Sequence, residues 1–527
     1  MTNKLFAVLL CGTALITAAP AFAQVAPGTE DTTPTEPDAD DTAANAVIAQ
    51  TAPVDDAQAK IQLLQEQVQA LQESITEMQS AMVKTTPSWK GAPLYEDKDA
   101  GWSFKPRGRL MYDVGYVSNP DDDNILNRSL GFNTRFRRVR LGAEGTIPGG
   151  FGYKFEMDYA NASVGFGDVI ITYSPKDKPY GFTLGNHETL NSFEQITSSR
   201  FISFLERSAF NEAFINTRRL GVSTGLVNKA GDLRFNAGLF TAHSIDSTVD
   251  NDGWIGAARA VYSPLLGGNQ MHFGLNYQYR NFQSNNGLVT NTGGAGLPST
   301  NQQARYRARP FTQTTDVRFV DTGNFAAKSD QIIGVEAAGI FKSLHVTGEA
   351  QYLKANAYDA GATFQDANDF FPTPTFLVPS GNPSFWGGYF EVGYFLTGET
   401  RGYKNGTWDR TKVLKPFSKG GWGAFQLNGR VDYLDLNSSK LKNGLNNNFL
   451  TGISAASVNL TRGGKQLGLL GSLIWIPEDY FRMYFQYARA NITGGPFSDD
   501  VDPGPGEPFD ERDFNVDTFT ARASIDF

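Results

Sequence analysis

Over most of the chain, apolar and polar residues alternate one by one. Phe519, Ala521, Ala523, Ile525 and Phe527 are interleaved with Thr520, Arg522, Ser524 and Asp526. Met271, Phe273, Leu275, Tyr277 and Tyr279 are interleaved with His272, Gly274, Asn276, Gln278 and Arg280, and Phe481, Met483, Phe485 and Tyr487 with Arg482, Tyr484, Gln486 and Ala488. A period of two puts each set of side chains on its own face of a strand. A soluble sandwich alternates too. These segments, however, run for about ten residues or more, gather aromatics near their ends and repeat charged residues on the second face, as transmembrane barrels do. The pattern predicts 16 strands, near 102–117, 132–147, 151–163, 165–174, 181–187, 217–228, 232–242, 254–264, 270–283, 330–341, 344–358, 385–398, 420–436, 463–476, 480–493 and 514–527. An even number allows antiparallel closure, which leaves no unpaired edge in lipid. The expected fold class is all-β, a 16-stranded antiparallel transmembrane β-barrel preceded by a short N-terminal coiled-coil helix.

Connections between the strands mostly alternate short and long. Ile147–Gly150, Asn228–Asp232, Phe341–Ser343 and Ile476–Asp479 read as tight periplasmic turns. Segments 284–329, 359–384, 437–462 and 494–513 are long and rich in Gly, Asn and Pro, as extracellular loops are. One exception is 399–419, a long connection where a short turn is due. A barrel of this size is expected to enclose an aqueous channel.

Before the barrel the period changes. Ile61, Leu64, Val68, Leu71, Ile75, Met78 and Met82 follow a 3-4-3-4 spacing, mostly filled by Gln and Glu. That is the a/d pattern of a coiled coil, here over 57–84. An amphipathic helix lying on its own barrel is the alternative. β-branched residues at a with Leu at d lean toward two strands, a preference that a trimeric barrel can override. Pro87 stops the helix. Residues 24–56 are Ala, Thr, Pro, Asp and Glu with almost nothing large and apolar, which reads as a disordered acidic linker, and 85–100 as a second linker. Residues 1–23 read as a signal peptide: Lys4, an apolar stretch from Leu5 to Ile16, and Ala21-Phe22-Ala23 before Gln24. The single cysteine, Cys11, falls within it, so the mature chain is expected to hold no disulfide and no Cys-based metal site. No run of about 18 apolar residues follows to serve as a transmembrane helix.

The net charge of −9 is unevenly placed. Residues 24–100 hold 4 Lys/Arg and 14 Asp/Glu, whereas residues 101–527 hold 41 of each. The acidity belongs to the arm, so the barrel carries no general repulsion for anions.

Catalysis has little support. His187, His243, His272 and His345 are scattered, with no HExxH, GxSxG, P-loop or metal-ligand spacing. No cofactor, metal or nucleic-acid partner is expected. Arginines are more informative. Arg305, Arg307 and Arg309 are two apart, so an extended segment would project them from one side. Such a row reads either as a pore-lining anion ladder or as a solvated loop tip in contact with lipopolysaccharide phosphates. On the second strand, Arg138 and Arg140 share the parity of Glu144 and face the lumen if the strand is regular. Arg135 and Arg137 need the strand's upper end or a bulge. Salt bridges to lumenal carboxylates are the bland reading for any one of them. The connection 188–216 contains Phe193, Phe201, Phe204, Leu205, Phe210 and Phe214, too much apolar side chain to hang in solvent. It is expected to fold into the barrel as a constriction loop.

In chain order, Lys105-Pro-Arg-Gly-Arg109-Leu, Phe136-Arg137-Arg138, Thr197-Ser-Ser-Arg200 with Leu205-Glu-Arg207, the Arg-rich 305–309 and Leu396-Thr-Gly-Glu-Thr-Arg401-Gly-Tyr403-Lys404 resemble the phosphate-selective porin O/P family across 101–527. The long turn at 399–419 is also similar to that family. The resemblance implies a homotrimeric barrel in outer-membrane lipid and lipopolysaccharide, an inward third loop, an arginine ladder and passive flux of small, phosphate-like anions. It implies that Arg109, Arg137 and Arg138 line the lumen near the constriction and that Ser198 and Ser199 offer hydroxyl ligands beside the cation Arg207. It makes Arg305, Arg307 and Arg309 the ladder. Two residues before the Thr-Ser-Ser, phosphate-selective members carry a lysine; here it is Gln195, a loss expected to weaken dehydrated phosphate binding most. Phe527, on the apolar face of the last strand, resembles the terminal aromatic by which such barrels are recognised for insertion. Two other functions remain open, a general-diffusion porin and a structural barrel anchoring an envelope-spanning coiled coil.

Overall fold

The computed structural model describes residues 54–85, 87–120, 130–160, 164–242, 244–245, 253–282, 288–289, 297–298, 303–357, 377–441, 445–446, 456–457, 463–501 and 510–527. The expected leader, with Cys11, most of the acidic arm and His243 lie outside the described residues.

Sixteen strands form the wall. They are β1 (Trp102–Val117), β2 (Gly131–Ile147), β3 (Phe151–Asp158), β4 (Gly165–Tyr173), β5 (Tyr180–His187), β6 (Arg219–Val227), β7 (Leu233–Thr241) and β8 (Trp254–Tyr262). There follow β9 (Asn269–Asn281), β10 (Phe325–Phe341), β11 (Leu344–Ala357), β12 (Ser384–Phe395), β13 (Ala424–Asp435), β14 (Lys465–Glu478), β15 (Phe481–Thr493) and β16 (Asp513–Asp526). Each pairs antiparallel with the next, and β16 closes on β1 from Thr518↔Val117 to Asp526↔Arg109. Closure satisfies the backbone without water, as a wall in hydrocarbon requires.

Alternation along the strands follows directly. Leu275, Ile333 and Phe519 point outward and are half exposed, whereas Gln278, Asp432 and Arg522 point inward and are buried. Strand ends differ from expectation in places. β3 stops at Asp158 rather than 163, and β10 begins at Phe325 rather than 330. Within the expected linker 85–100, Pro93–Asp97 forms a short strand paired with the start of β1.

One end of the barrel has tight turns. Residues 148–150 join β2 to β3, with Gly149 and Gly150 at φ of 92° and 89°, a region that glycine enters without a Cβ clash. Residues 342–343 join β10 to β11 and 479–480 join β14 to β15. The exception is again at this end. The connection 396–423 carries a small hairpin, Gly402–Lys404 paired with Thr407–Asp409.

The interior is not the wide aqueous lumen that strand number alone suggests. The connection 188–218 folds inward, as does the segment 303–324. Phe204, Phe210, Phe214, Tyr306, Ala308 and Phe319 join wall residues Phe325, Phe385 and Leu434 in one buried apolar cluster. Burying these side chains stabilises the inward fold by roughly 1.5–3 kcal/mol for each large one. The hairpin enters from the opposite end, and its Trp408 packs against Phe193 of 188–218 at 5.1 Å between ring centroids.

Separately, α1 (Val54–Thr85) covers the heptad run. Strong helix formers fill it, and it ends two residues before Pro87. Ile61, Leu64, Val68, Leu71 and Ile75 are 46–61% exposed along one stripe. Met78 and Met82 continue the spacing on the helix; their side chains lie outside the description.

Candidate functional site

Local backbone chemistry shapes the connection 188–218. Ser192, at φ 66°, caps the short helix α2 (Phe193–Ile196), its hydroxyl accepting from the Gln195 N–H at 3.3 Å. After Thr197–Ser208 comes a second short helix, α3 (Ala209–Phe214). The stretch between the helices lies against the wall. Gln486 on β15 accepts from the Leu205 N–H at 2.9 Å. Arg522 on β16 donates to the Leu205 carbonyl at 2.6 Å and to Glu206 at 2.8 Å.

Arginines converge on Ser198–Phe201. Arg109 on β1 donates to Ser199 Oγ at 2.6 Å, and Arg200 to Ser198 Oγ at 3.2 Å. Arg482 on β15 donates to the Arg200 carbonyl, and Arg401 of the 396–423 connection to the Phe201 carbonyl. Arg207 donates to the carbonyls of Glu194, Gln195 and Thr197 at 2.9, 3.1 and 3.0 Å. The guanidinium carbons of Arg200, Arg410 and Arg482 lie 5.0, 5.3 and 5.1 Å from the Phe201 ring centre, within cation–π reach. Carboxylates are fewer here. Asp526 pairs with Arg200 and Arg410, and Glu156 pairs with Arg140 at 2.6 Å and lies 4.0 Å from Arg109. Among the described residues Arg138, Arg207, Arg401 and Arg482 form no ion pair. Burial, opposed by Glu391 and reinforced by Arg482, brings Arg401 down to about 10, so it stays charged at neutral pH.

The arginines of β2 face inward through a bulge rather than through a regular strand. The β1–β2 register pairs Met111 with Arg138 and Tyr112 with Phe136, leaving Arg137 unpaired. One extra residue flips the parity. Arg135 before the bulge, Arg137 at it, and Arg138 and Arg140 after it therefore share the lumenal side. Arg137 binds Glu206 through two N–H groups at 2.8 and 3.0 Å.

The predicted residues thus divide. Arg109 meets Ser199 and Arg200 meets Ser198, so both hydroxyls already accept from arginines and retain only their protons for an anion, while Arg138 lies against Met111 on β1. Arg207 is a clamp on loop carbonyls. Gln195 is buried and donates to Glu188 at 2.7 Å. Arg305, Arg307 and Arg309 do share one side, with Tyr306 and Ala308 buried on the other. Two of the three are neutralised: Arg305 pairs with Asp321 at 2.6 Å, and Arg309 with Glu212 and with Asp316 at 3.1 Å. The hydrogen bond to Asp321 raises the Arg305 pKa. Arg307 alone of the row forms no ion pair among the described residues. The segment is also anchored inside, since Arg135 donates to the Gln313 carbonyl at 2.6 Å and Asn133 to that of Thr314 at 2.9 Å. A freely solvated loop tip does not describe it.

Arg410 and Arg482 escaped the sequence reading. Arg482 had a signal, its polar parity on β15; Arg410 sat in a connection whose inward path nothing local announces. Ser223 meets His187 Nε2 at 2.7 Å, but the ring's Nδ1 faces the Gly185 carbonyl and Phe240 packs on it, so no acid orients the pair.

The sequence profile of the family described as phosphate-selective porin O and P matches residues 104–494. An uncharacterised protein of Caulobacter vibrioides is 33% identical over 457 residues, 85% of this chain and 78% of that one. Porin O of Pseudomonas aeruginosa is 24% identical over 368 residues, 65% of this chain and 75% of that one. Among solved structures, the anion-selective porin from Comamonas acidovorans aligns with a TM-score of 0.42 at 13% identity, over 81% of this chain and all of the other. The outer-membrane channel DcaP of Acinetobacter baumannii aligns with a TM-score of 0.43 at 12% identity, over 81% and 98%. On the profile match, which spans the barrel from β1 to β15, the chain is a porin of the outer membrane and belongs to the phosphate-selective porin O and P family.

Proposed function

We propose that this porin passes small anions, phosphate or polyphosphate among them, by passive and anion-preferring diffusion past Ser198–Phe201. One observation carries the reading. Arg109, Arg200, Arg401, Arg410 and Arg482 gather around that segment, with Arg138 near Arg109, against Asp526, Glu156, Glu206 and Glu391, and buried N–H groups of Arg109, Arg138, Arg401 and Arg482 have no acceptor among the described residues. Rows of arginine select anions by Coulombic attraction, which acts strongly where walls exclude water. The family's description points the same way. A weakly selective, general-diffusion pore is the second reading, favoured by the equal numbers of acidic and basic residues in 101–527. Reversal potentials in asymmetric KCl separate the two. Arg482→Gln and Arg138→Gln should each lower the anion-to-cation permeability ratio by roughly 2–5-fold, as expected for removing one unit charge at several ångströms. A wild-type pore without anion preference would leave the general-diffusion reading.

We also infer a homotrimer, with α1 associating as a coiled coil on the periplasmic side. Of the positions flanking the apolar stripe, Gln65, Gln67, Gln72, Ser74 and Gln79 are uncharged and Lys60 carries the one charge, while Glu66, Glu73 and Glu77 fall on the outer face. Copies of the helix therefore meet with little like-charge repulsion, and mostly neutral flanks suit a third strand as well as a second.

A further inference from the structure

Two wall carboxylates meet the constriction loop at the starts of its two helices. Glu349 on β11 accepts from the Ser192 hydroxyl at 2.8 Å and from the backbone N–H groups of Phe193 at 2.8 Å and Glu194 at 2.9 Å. Its fourth donor is the Tyr389 hydroxyl of β12, at 2.7 Å. Asp432 on β13 accepts from the Ala209 N–H, 3.2 and 3.3 Å from its two oxygens. These N–H groups belong to the first turns of α2 and α3, where the helix itself supplies no acceptor.

The two attachments are tied together. Glu194, in α2, accepts from the Ser208 N–H at the start of α3 at 2.8 Å and from Arg430 of β13 at 2.6 Å. Asn211, in α3, donates to the Ser192 hydroxyl at 3.0 Å. All of these groups are buried. Between the two capped helices lies Thr197–Ser208, the stretch that carries Ser198, Ser199, Arg200 and Arg207.

We propose that Glu349 and Asp432 are positioning residues of the channel. They hold both ends of Thr197–Ser208, so the distance between Ser198–Phe201 and the arginines of β1 and β15 is set from β11 and β13 as well as by the direct contacts of the stretch with β1, β15 and β16. Glu349 is the stronger hold. Its four donors need both oxygens of a carboxylate; an amide offers one acceptor oxygen and turns an NH2 toward groups that are themselves donors. Losing acceptors for buried N–H groups shifts the balance between held and released loop on the order of tenfold per cap.

The test compares Glu349→Gln, Asp432→Asn and the control Asn356→Ala in planar bilayers. Asn356 also lies on β11, donating to Ser329 at 2.8 Å, and its side chain forms no hydrogen bond with the loop among the described residues. Single-channel conductance, open-channel noise and reversal potential are recorded beside the heat resistance of the assembled protein. Both cap variants should show more open-channel noise, altered conductance and a reversal potential nearer zero, while the control changes heat resistance at most. Asp432→Asn keeps one acceptor oxygen for its single donor and is the milder variant should Glu349→Gln fail to assemble. Wild-type noise and wild-type permeability ratio in the cap variants overturn the inference, and so does a control that changes them equally. The inference rests on conduction past this loop rather than on its ion preference. A wild-type pore lacking anion preference would defeat the selectivity reading alone, because noise and conductance would still report the release of the loop.

Discussion

Arg207 is a cation by type and a structural clamp by geometry, since three loop carbonyls take its N–H groups. Arg482, a wall residue, meets one loop carbonyl, that of Arg200, and its Nε and other terminal nitrogen keep buried N–H groups without an acceptor among the described residues. The difference governs what each substitution should do. Arg207→Gln should disturb the loop's shape, whereas Arg482→Gln should act mainly on ion preference. Within the row at 305–309, Arg305 and Arg309 are balanced by carboxylates, so Arg307→Ala alone should account for most of the reversal-potential shift of the triple Ala variant. A triple variant that shifts several-fold further than Arg307→Ala would show that the ion pairs do not neutralise the row. Gln195→Lys is a subtler case. Its amide already donates to Glu188, which pairs with Arg218 at 2.8 Å. A lysine there would meet the same carboxylate, so block of chloride current by added phosphate should rise modestly, and more in Gln195→Lys with Glu188→Gln. Tight phosphate block in the wild type would contradict the importance given to the missing lysine.

At the scale of elements, two devices aim the arginines. The bulge at Arg137 turns four arginines of β2 to one side, and the inward connections bring the Gln313 carbonyl to Arg135 and the Glu206 carboxylate to Arg137. Neither depends on long-range alternation, and both need a wall already closed. The helix α1 behaves differently, since its pattern is complete in itself. Leu64→Asp with Leu71→Asp removes two d-position contacts that would each bury a leucine worth roughly 1.5–3 kcal/mol. The double variant should still insert, but its oligomer should dissociate at lower temperature on mild-detergent gels. An oligomer as heat-resistant as wild type would count against any role for the coil.

For the whole molecule, the decisive contact is between the chain's last strand and its first. The ladder runs through Phe527, whose carbonyl accepts from Gly108 at 3.1 Å and whose N–H donates to the Gly108 carbonyl at 3.0 Å. Its ring lies over Gly108, where a Cβ would meet it at 1.9 Å. Deleting Phe527 removes a single rung of a closed barrel, so purified protein should refold in detergent nearly as well as wild type. In cells the same deletion should leave periplasmic, protease-sensitive protein, if the terminal aromatic is the insertion signal. Normal surface yield would refute that role, and failed refolding in detergent would make it a matter of stability.

What the amino-acid order determined by itself was the wall and the helix. Side chains alternate with period two on any strand and recur at 3-4 spacing on any coiled-coil helix, so strands, turns and the stripe of α1 were legible without a partner in view. Even the odd connection at 399–419 and the apolar burden of 188–216 stood out. The tertiary structure decided which charges remain active. Arg305 and Arg309 look identical to Arg307 in sequence, and only the folded loop brings Asp321 and Glu212 to two of them. Arg137 and Arg138 share a side because one residue drops out of register, a choice made between strands rather than along one. Arg401, Arg410 and Arg482 reach Ser198–Phe201 from connections and strands some 200 to 280 residues away in the chain. Local pattern encodes the direction in which a side chain points, whereas pairing energy depends on what stands within a few ångströms across the lumen, and that is set when the barrel closes.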